Sequence, residues 1–366
     1  MSEPNVHVEV DRDDPARSRI SESDLPDLEP GQVRLRIDRF ALTANNVTYA
    51  AIGHSLGYWD FFPTGDESFG RVPAMGFGEL VASAHPEVPS GGRYYGWYPM
   101  SRFVDLRVEP TRDGLRDEGE HRAAHAPVYR SYTATDRDPF YQAGDDGEDR
   151  VALLRGLFLT GFLADDFFVD QDDFGARRAI VLSASSKTAI AFAQRASERG
   201  LHEVIGVTSA SNRAFVAGLP WYDRVVAYDE IESIPTEGDA ISIDMSGNGD
   251  ALGRLHAHLE DRLRYSMAVG MSHTGAPPRP QNLKGPQPEF FFAPTQVSKR
   301  MKDWGPQGFQ DRATAALRAF VDGSHRWLGV THSYGPESVE RVWSETVAGR
   351  VPPNVGHVVS LADAPG

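Results

Sequence analysis

No cysteine occurs anywhere in the 366 residues. That absence excludes disulfides, thiolate nucleophiles and every zinc site built on sulfur ligands. Long apolar runs are missing too. The most hydrophobic stretch, Val151 to Ala164, spans 14 residues and carries Arg155; it is too short for a membrane span and suits a core helix. Met1 to Ile20 is charged throughout and lacks the apolar centre of a signal peptide. Positive charge is scarce: 37 Lys and Arg stand against 52 Asp and Glu, a net charge of −15. A general nucleic-acid binder is therefore not expected, although a local basic pocket for one phosphorylated cofactor is compatible with that balance. What is present is ordinary for a globular chain: 40% apolar and 24% charged residues, with 35 Gly and 25 Pro in no collagen-like period. The length fits about two domains. A soluble, cytoplasmic protein with no membrane partner is expected.

The first 150 residues read as β-rich. Val33-Arg34-Leu35-Arg36-Ile37 alternates apolar and charged side chains, the period of a half-buried strand. Further apolar runs lie at Gly76 to Ala82, Tyr94 to Trp97 and Phe103 to Val108, separated by Pro and Gly. Gly53 to Gly70 reads as a loop dense in aromatics, and the polar residues 109–149 read as a long excursion or lid without a period. From Val151 the pattern changes. A helix over Val151 to Phe168 precedes short apolar strands at Ala179 to Leu182, Val204 to Val207, Arg224 to Ala227, Ala240 to Ile243 and Ser266 to Val269. Helices over Ser185 to Arg199, Asn212 to Ala217 and Asp250 to Leu263 fall between them. Such alternation predicts a parallel sheet covered on both faces, a doubly wound nucleotide-binding type of domain. Helices at Gln310 to Gly323 and Ser338 to Ala348, and strands at Trp327 to Val330 and Val358 to Leu361, complete the chain.

In such a sheet, ligands bind beyond the carboxyl ends of the strands, with phosphate at the next helix N-terminus. The turn after the first strand is Ser183-Ala184-Ser185-Ser186-Lys187-Thr188, with no G-x-G-x-x-G fingerprint. Small side chains admit a phosphate, hydroxyls can donate to it and Lys187 adds charge; a plain strand–helix turn with a serine cap is the competing reading. The second strand ends in Thr208-Ser209-Ala210-Ser211-Asn212-Arg213, where an acidic residue would mark a preference for the unphosphorylated dinucleotide. Thr208, Ser209, Asn212 and Arg213 suit a 2′-phosphate, with no carboxylate in the run to oppose it. A capped helix start bearing a surface arginine is the alternative.

Taken together, residues 31 to 361 resemble the medium-chain dehydrogenase/reductase superfamily, especially its zinc-independent, quinone oxidoreductase-like branch. The resemblance is carried by Ala41-Leu42-Thr43-Ala44-Asn45-Asn46, Pro73 to Val81, Gly91-Gly92-Arg93-Tyr94-Tyr95-Gly96, the stretch Val204 to Tyr228 and Val269-Gly270-Met271. Phe162 to Phe168, Ser185 to Thr188 and Phe291 to Pro294 are more closely similar to a branch known only as a domain of unknown function. The resemblance implies an α/β chain with a GroES-like β-barrel domain plus a doubly wound Rossmann-type parallel sheet domain. The barrel would take residues 1–150, completed by 310–366, and the dinucleotide-binding domain residues 151–309, with the active cleft at their interface. Gly270 would line the nicotinamide site, and the analogy favours a homodimer. The family's catalytic zinc ligands and four-Cys zinc lobe have no counterpart here. Its three phosphate-turn glycines align with Ser183, Ser186 and Ala189, where a Cβ is expected to require φ below zero.

Without a metal, hydride transfer needs a group that stabilises oxygen and a source of protons. Tyr49, Asn46 and Tyr98 are candidate catalytic donors on the barrel side, and His273 lies just past the fifth strand of the sheet. Tyr58, Trp59 and Phe61, with Phe292, are candidates to line an apolar substrate pocket. Filling the core, or for His273 lying at the surface, is the competing reading for each. Ser183, Ser185, Ser186, Lys187 and Thr188 are the expected pyrophosphate contacts. The expectation is an NADP(H)-dependent reductase acting on a conjugated carbonyl, quinone-like or enoyl small molecule. The alternative is a lyase or hydrolase on the same scaffold, using a carboxylate or histidine such as Asp165 or His273.

Overall fold

The computed structural model describes residues 4–270, 280 and 282–364. His273 lies outside the described residues. The chain forms two compact units, Met1–Arg155 with Gly329–Gly366, and Gly156–Leu328.

The first unit opens with β1 (Asn5–Asp11) and β2 (Ser18–Ser23), followed by the long β3 (Gln32–Leu42). Helices α1 (Ala44–Ala51) and α2 (Gly53–Leu56) come next, then β4 (Phe69–Gly70), β5 (Pro73–Ser83), β6 (Arg93–Pro99), β7 (Phe103–Pro110) and β8 (Gly114–Asp117). The short α3 (Pro127–Arg130) leads to β9 (Ser131–Ala134) and to α4 (Asp145–Asp170), which belongs to the second unit from Gly156 onward. Strands β3-β5-β6-β9-β8-β7 pair in that order, and β7 pairs back onto β3, which closes a six-stranded barrel of GroES-like type. In β3 the apolar residues Val33, Leu35 and Ile37 are buried, as the alternation predicts.

Three parts of this unit depart from the sequence reading, the first being Gly53 to Gly70, read as a loop, which begins with α2 and ends with β4. The charged start hides β1, all seven of whose residues are buried. Val6, Val8 and Val10 line one face; on the other, His7 bonds Ser101 at 2.7 Å and Ser23 at 2.9 Å, and Glu9 accepts from Arg19 and Arg71. Nor are residues 109–149 an excursion without structure. They supply β8 and β9, strands of four residues each that close the barrel and are too short to display a period.

The second unit is built on β10 (Arg178–Leu182), α5 (Lys187–Glu198), β11 (Glu203–Thr208), α6 (Arg213–Ala217), β12 (Arg224–Ala227), β13 (Ala240–Asp244), α7 (Gly249–Leu259), β14 (Leu263–Ala268) and β15 (Glu289–Phe290). All six strands are parallel, in the order β12-β11-β10-β13-β14-β15. This is a Rossmann-type sheet, and the order reverses beside β10, at the switch point where such folds bind ligands. Ile180, Leu182, Ile205, Val207, Val226, Leu255 and Leu259 form its core on one face, each side chain contributing about 1.5–3 kcal/mol by leaving water. Helices α8 (Ala293–Asp303) and α9 (Gly305–Ser324) end this unit. The chain then returns to the first unit as β16 (Gly329–Tyr334), α10 (Pro336–Val347) and β17 (Val355–Ser360), with β17 antiparallel to β3 and parallel to β16.

Candidate functional site

The turn after β10 carries the first group of expected contacts. Ser186 is the N-cap of α5, its hydroxyl accepting from the Ala189 amide at 3.3 Å. Ser183 adopts φ +58, the left-handed region that costs a residue with a Cβ about 1–2 kcal/mol. The expectation of φ below zero at the substituted glycines is thus overturned at Ser183; Ser186 keeps φ −72. Three backbone amides of the turn donate hydrogen bonds. Ser183 N donates to the Tyr228 hydroxyl at 3.0 Å, Ala184 N to Val207 O at 3.0 Å, and Ser186 N to Ser183 O at 2.9 Å. Lys187 opens α5, and burial pushes its ammonium down to about 8. Thr188 follows it in the first turn of the helix.

At the end of β11, Thr208 donates to the Ser185 hydroxyl at 3.4 Å and Asn212 Nδ2 donates to the same oxygen at 3.1 Å. The two strand ends are therefore joined through Ser185. Ser209 caps the following turn, accepting from Asn212 N at 3.3 Å. Arg213 is half exposed and pairs with Glu230 at 2.9 Å. The short run around Arg213 contains no carboxylate, but the fold brings one from beyond β12, which corrects the unopposed charge read from the sequence.

At the end of β13, the buried Asp244 accepts from Ser246 N at 2.7 Å and from Gly247 N at 3.2 Å. Val269 and Gly270 continue from β14, their amides donating to Asp244 O at 2.9 Å and 3.4 Å. The Tyr228 hydroxyl also meets the Ser246 side chain, and burial raises its pKa. Phe292 is the exposed N-cap of α8. Asp165 is buried against Arg199 at 2.8 Å, and burial raises it to about 6. The neighbouring Asp166 accepts from Gln296 and Arg300.

In the barrel unit, α1 carries Asn46 and Tyr49. Asn46 closes a capping box: its Oδ1 accepts from Thr43 N at 2.8 Å while Nδ2 donates to Pro73 O at 3.0 Å. Both ends of that amide are engaged in local structure. Tyr98 is fully buried and its hydroxyl donates to Tyr94 O at 2.8 Å. Tyr49 differs from both, because its hydroxyl meets the side chain of Asn45 and its ring packs at 4.6 Å on Tyr58 and 5.3 Å on Trp97. Burial pushes the phenols of Tyr49, Tyr58 and Tyr98 up, so all three are protonated at neutral pH. Trp59 is wedged between two glycines; a Cβ on Gly53 or Gly70 would lie 2.4 Å from its indole. Phe61 is buried against the Arg122 guanidinium, 4.0 Å from its ring centre.

The sequence reading missed Tyr129, Trp97 and His125, which complete this aromatic cluster. Tyr129 lies 5.1 Å from Trp97 and 5.5 Å from Phe61, and its hydroxyl meets that of Tyr58 at 3.3 Å. Their only signal was aromatic content on separate, short elements. Among the described residues, no group of three or more His, Asp or Glu side chains is gathered that could hold a metal ion, and no helix is long and apolar enough to cross a membrane.

A GroES-like barrel and a Rossmann-type sheet together define the medium-chain dehydrogenase/reductase architecture. Solved structures share it over nearly the full chain. The protein is similar to CurA from Vibrio vulnificus at a TM-score of 0.62 and 14% identity, covering 99% of this chain and 100% of that one. Similarity extends to S. aureus TarJ in complex with NADPH (TM-score 0.58, 10% identity, 98% and 99% covered). It extends also to an Etr1p/NADP/crotonyl-CoA complex (TM-score 0.59, 12% identity, 98% and 100% covered). No curated protein matches the sequence. A family model described as "Protein of unknown function (DUF2855)" matches residues 40–352, and the chain belongs to that family.

Proposed function

We propose that this protein is an NADP(H)-dependent reductase acting on a conjugated carbonyl, quinone-like or enoyl small molecule. The observation that carries the reading is the donor set at the ends of β10 and β11. Ser185, Ser186, Lys187 and Thr188 stand at the start of α5, and Thr208, Ser209, Asn212 and Arg213 at the end of β11, with hydroxyls, an amide and two cations and no carboxylate within either run. Such donors fit the two phosphate-bearing parts of a phosphorylated dinucleotide. Several structures of the same fold were solved as NADPH or NADP complexes, which supports the assignment.

When bound, the cofactor supplies a hydride to the substrate. The chain's own part is to bind and orient. The first turn of α5 would hold the pyrophosphate, and Asn212 with Arg213 the 2′-phosphate, while Gly270 offers no side chain on the strand-end face. Tyr49 is the proposed proton donor, since its phenol is protonated at neutral pH and Tyr58 and Trp97 fix its ring. A homodimer through the outer edge of β15, where Glu289 and Phe290 are exposed, belongs to the same reading.

Titration of the purified protein with NADPH, followed by fluorescence or calorimetry, tests the proposal. Saturable binding is expected, and absence of binding at millimolar cofactor overturns it. Arg213→Ala is expected to weaken NADPH far more than NADH; equal losses would remove the 2′-phosphate role of Arg213.

A further inference from the structure

We infer that Tyr222 and Tyr228 form a two-point clamp that holds the glycine-free turn after β10 in the conformation that receives a pyrophosphate. The inference rests on the dinucleotide reading and says how that turn works without its glycines. The two tyrosines flank β12, one just before it and one just after. Tyr228 takes the amide hydrogen of Ser183 at 3.0 Å, and the Tyr222 hydroxyl donates to Ala184 O at 2.9 Å. Two successive residues of the turn are thereby fixed, one through its N–H and the next through its carbonyl.

The clamp has a reason to exist. Glycine enters the left-handed region at no steric cost, whereas a serine at φ +58 lies uphill and stays there only where its surroundings hold it. The sequence makes room for the device. Gly206 on β11 lies beneath Tyr222, and a Cβ there would come within 2.9 Å of both the tyrosine ring and Ala184 Cβ. Tyr228 is anchored in turn, since its ring packs against the sheet core and its hydroxyl meets Ser246 at the end of β13. The carboxyl ends of β10, β12 and β13 are therefore tied through one phenol. A further consequence concerns the ligand. The Ser183 amide is already committed to Tyr228, so anion binding falls to the residues that follow it, Ser185 to Thr188. Both tyrosines are positioning residues, because they act through the turn.

The test uses the full chain as wild type, Tyr228→Phe, Tyr222→Phe, Ser183→Gly and the Tyr228→Phe/Ser183→Gly double variant. Three quantities are read: NADPH affinity, the thermal midpoint, and amide hydrogen exchange in peptides covering residues 183–190. Tyr228→Phe is expected to weaken NADPH about fivefold to tenfold and to speed exchange in that turn, with the remaining sheet peptides unchanged. Adding Ser183→Gly returns affinity to within about twofold of the Ser183→Gly single variant, because glycine holds the turn without the phenol. A purely structural tyrosine would lower the midpoint and would not be rescued. Wild-type affinity and exchange in Tyr228→Phe, or failure of the rescue, overturns the clamp. If the wild type binds no NADPH, the dinucleotide reading fails by itself. The exchange measurement then decides the clamp alone: local acceleration in both tyrosine variants supports it, and unchanged exchange removes it.

Discussion

Arg213 and Glu230 face each other across the ends of β11 and β12, an ion pair of 2.9 Å with both side chains nearly half exposed. Glu230 also reaches back to the Ala227 amide at 3.4 Å. A carboxylate beside the proposed 2′-phosphate position both orients the arginine and repels the ligand. Glu230→Gln keeps the hydrogen-bonding shape and removes the charge. It is expected to tighten NADPH by about twofold to fivefold, the range of an exposed ion pair, while leaving NADH unchanged. Calorimetric titration with both cofactors is the check, and an equal effect on the two would place Glu230 outside cofactor selection.

Lys187 gives the second prediction. Its ammonium is lowered to about 8 by burial, so the cation is present below that pH and lost as pH rises through it. NADPH affinity should fall above about pH 8, and a bound phosphate will move the midpoint upward by favouring the charged form. Lys187→Met should bind more weakly at neutral pH and lose the pH dependence in this range. A wild-type profile in that variant would exclude Lys187 from phosphate binding.

His7 makes stability depend on pH in the opposite sense. Burial first, then the charge of Arg71, lowers its pKa to about 4, with Glu9 opposing. In the unfolded chain the imidazole titrates near its ordinary value of about 6.5. The stabilisation is full above that pH and is lost as pH falls toward 4, because the unfolded state then takes a proton that the folded state refuses. The span amounts to about 3 kcal/mol. Thermal unfolding between pH 7 and 4 should show a steeper decline for the wild type than for His7→Gln.

Packing around Trp59 predicts a second effect on stability. A methyl at Gly70 would lie 2.4 Å from the indole, and Trp59 is buried, with a second glycine, Gly53, equally close to its ring. Gly70→Ala is expected to destabilise by about 1–3 kcal/mol in denaturant unfolding. A neutral result would show that Trp59 can move aside.

Tyr49 tests the chemistry. With its phenol protonated and its ring fixed by Tyr58 and Trp97, Tyr49→Phe should lower kcat by about a hundredfold or more while NADPH affinity stays within about twofold. Loss of affinity with unchanged kcat would assign the hydroxyl to binding.

Much of this was legible in the sequence. The two central strands of the parallel sheet are built on short apolar runs bounded by polar turns, a signal that survives without context; Ala179 to Leu182 falls within β10 and Val204 to Val207 within β11. The start of α5 was legible to within two residues: a helix from Ser185 with a serine cap was expected, and the helix begins at Lys187 with Ser186 as its N-cap. What escaped was non-local. Glu230 opposes Arg213, and Tyr222 and Tyr228 reach the Ser183 turn, only after the sheet has formed; no window of neighbouring residues contains either partnership. The strand β1 escaped for a related reason: its charges look like surface until Ser101, Arg19 and Arg71 arrive to satisfy them.

The pairing of β17 with β3 has a consequence for how the molecule is made. His357 lies opposite Leu42, and Trp343, buried on α10, donates to the carbonyl of Pro15. On the ribosome, the middle of the chain emerges whole and can fold as a contiguous piece. The opening segment meanwhile waits, with one sheet margin bare and its covering helix not yet translated. Birth order therefore makes the beginning of the chain the last part to be finished, and the interval before its closing strand arrives is when this protein most needs shelter from aggregation.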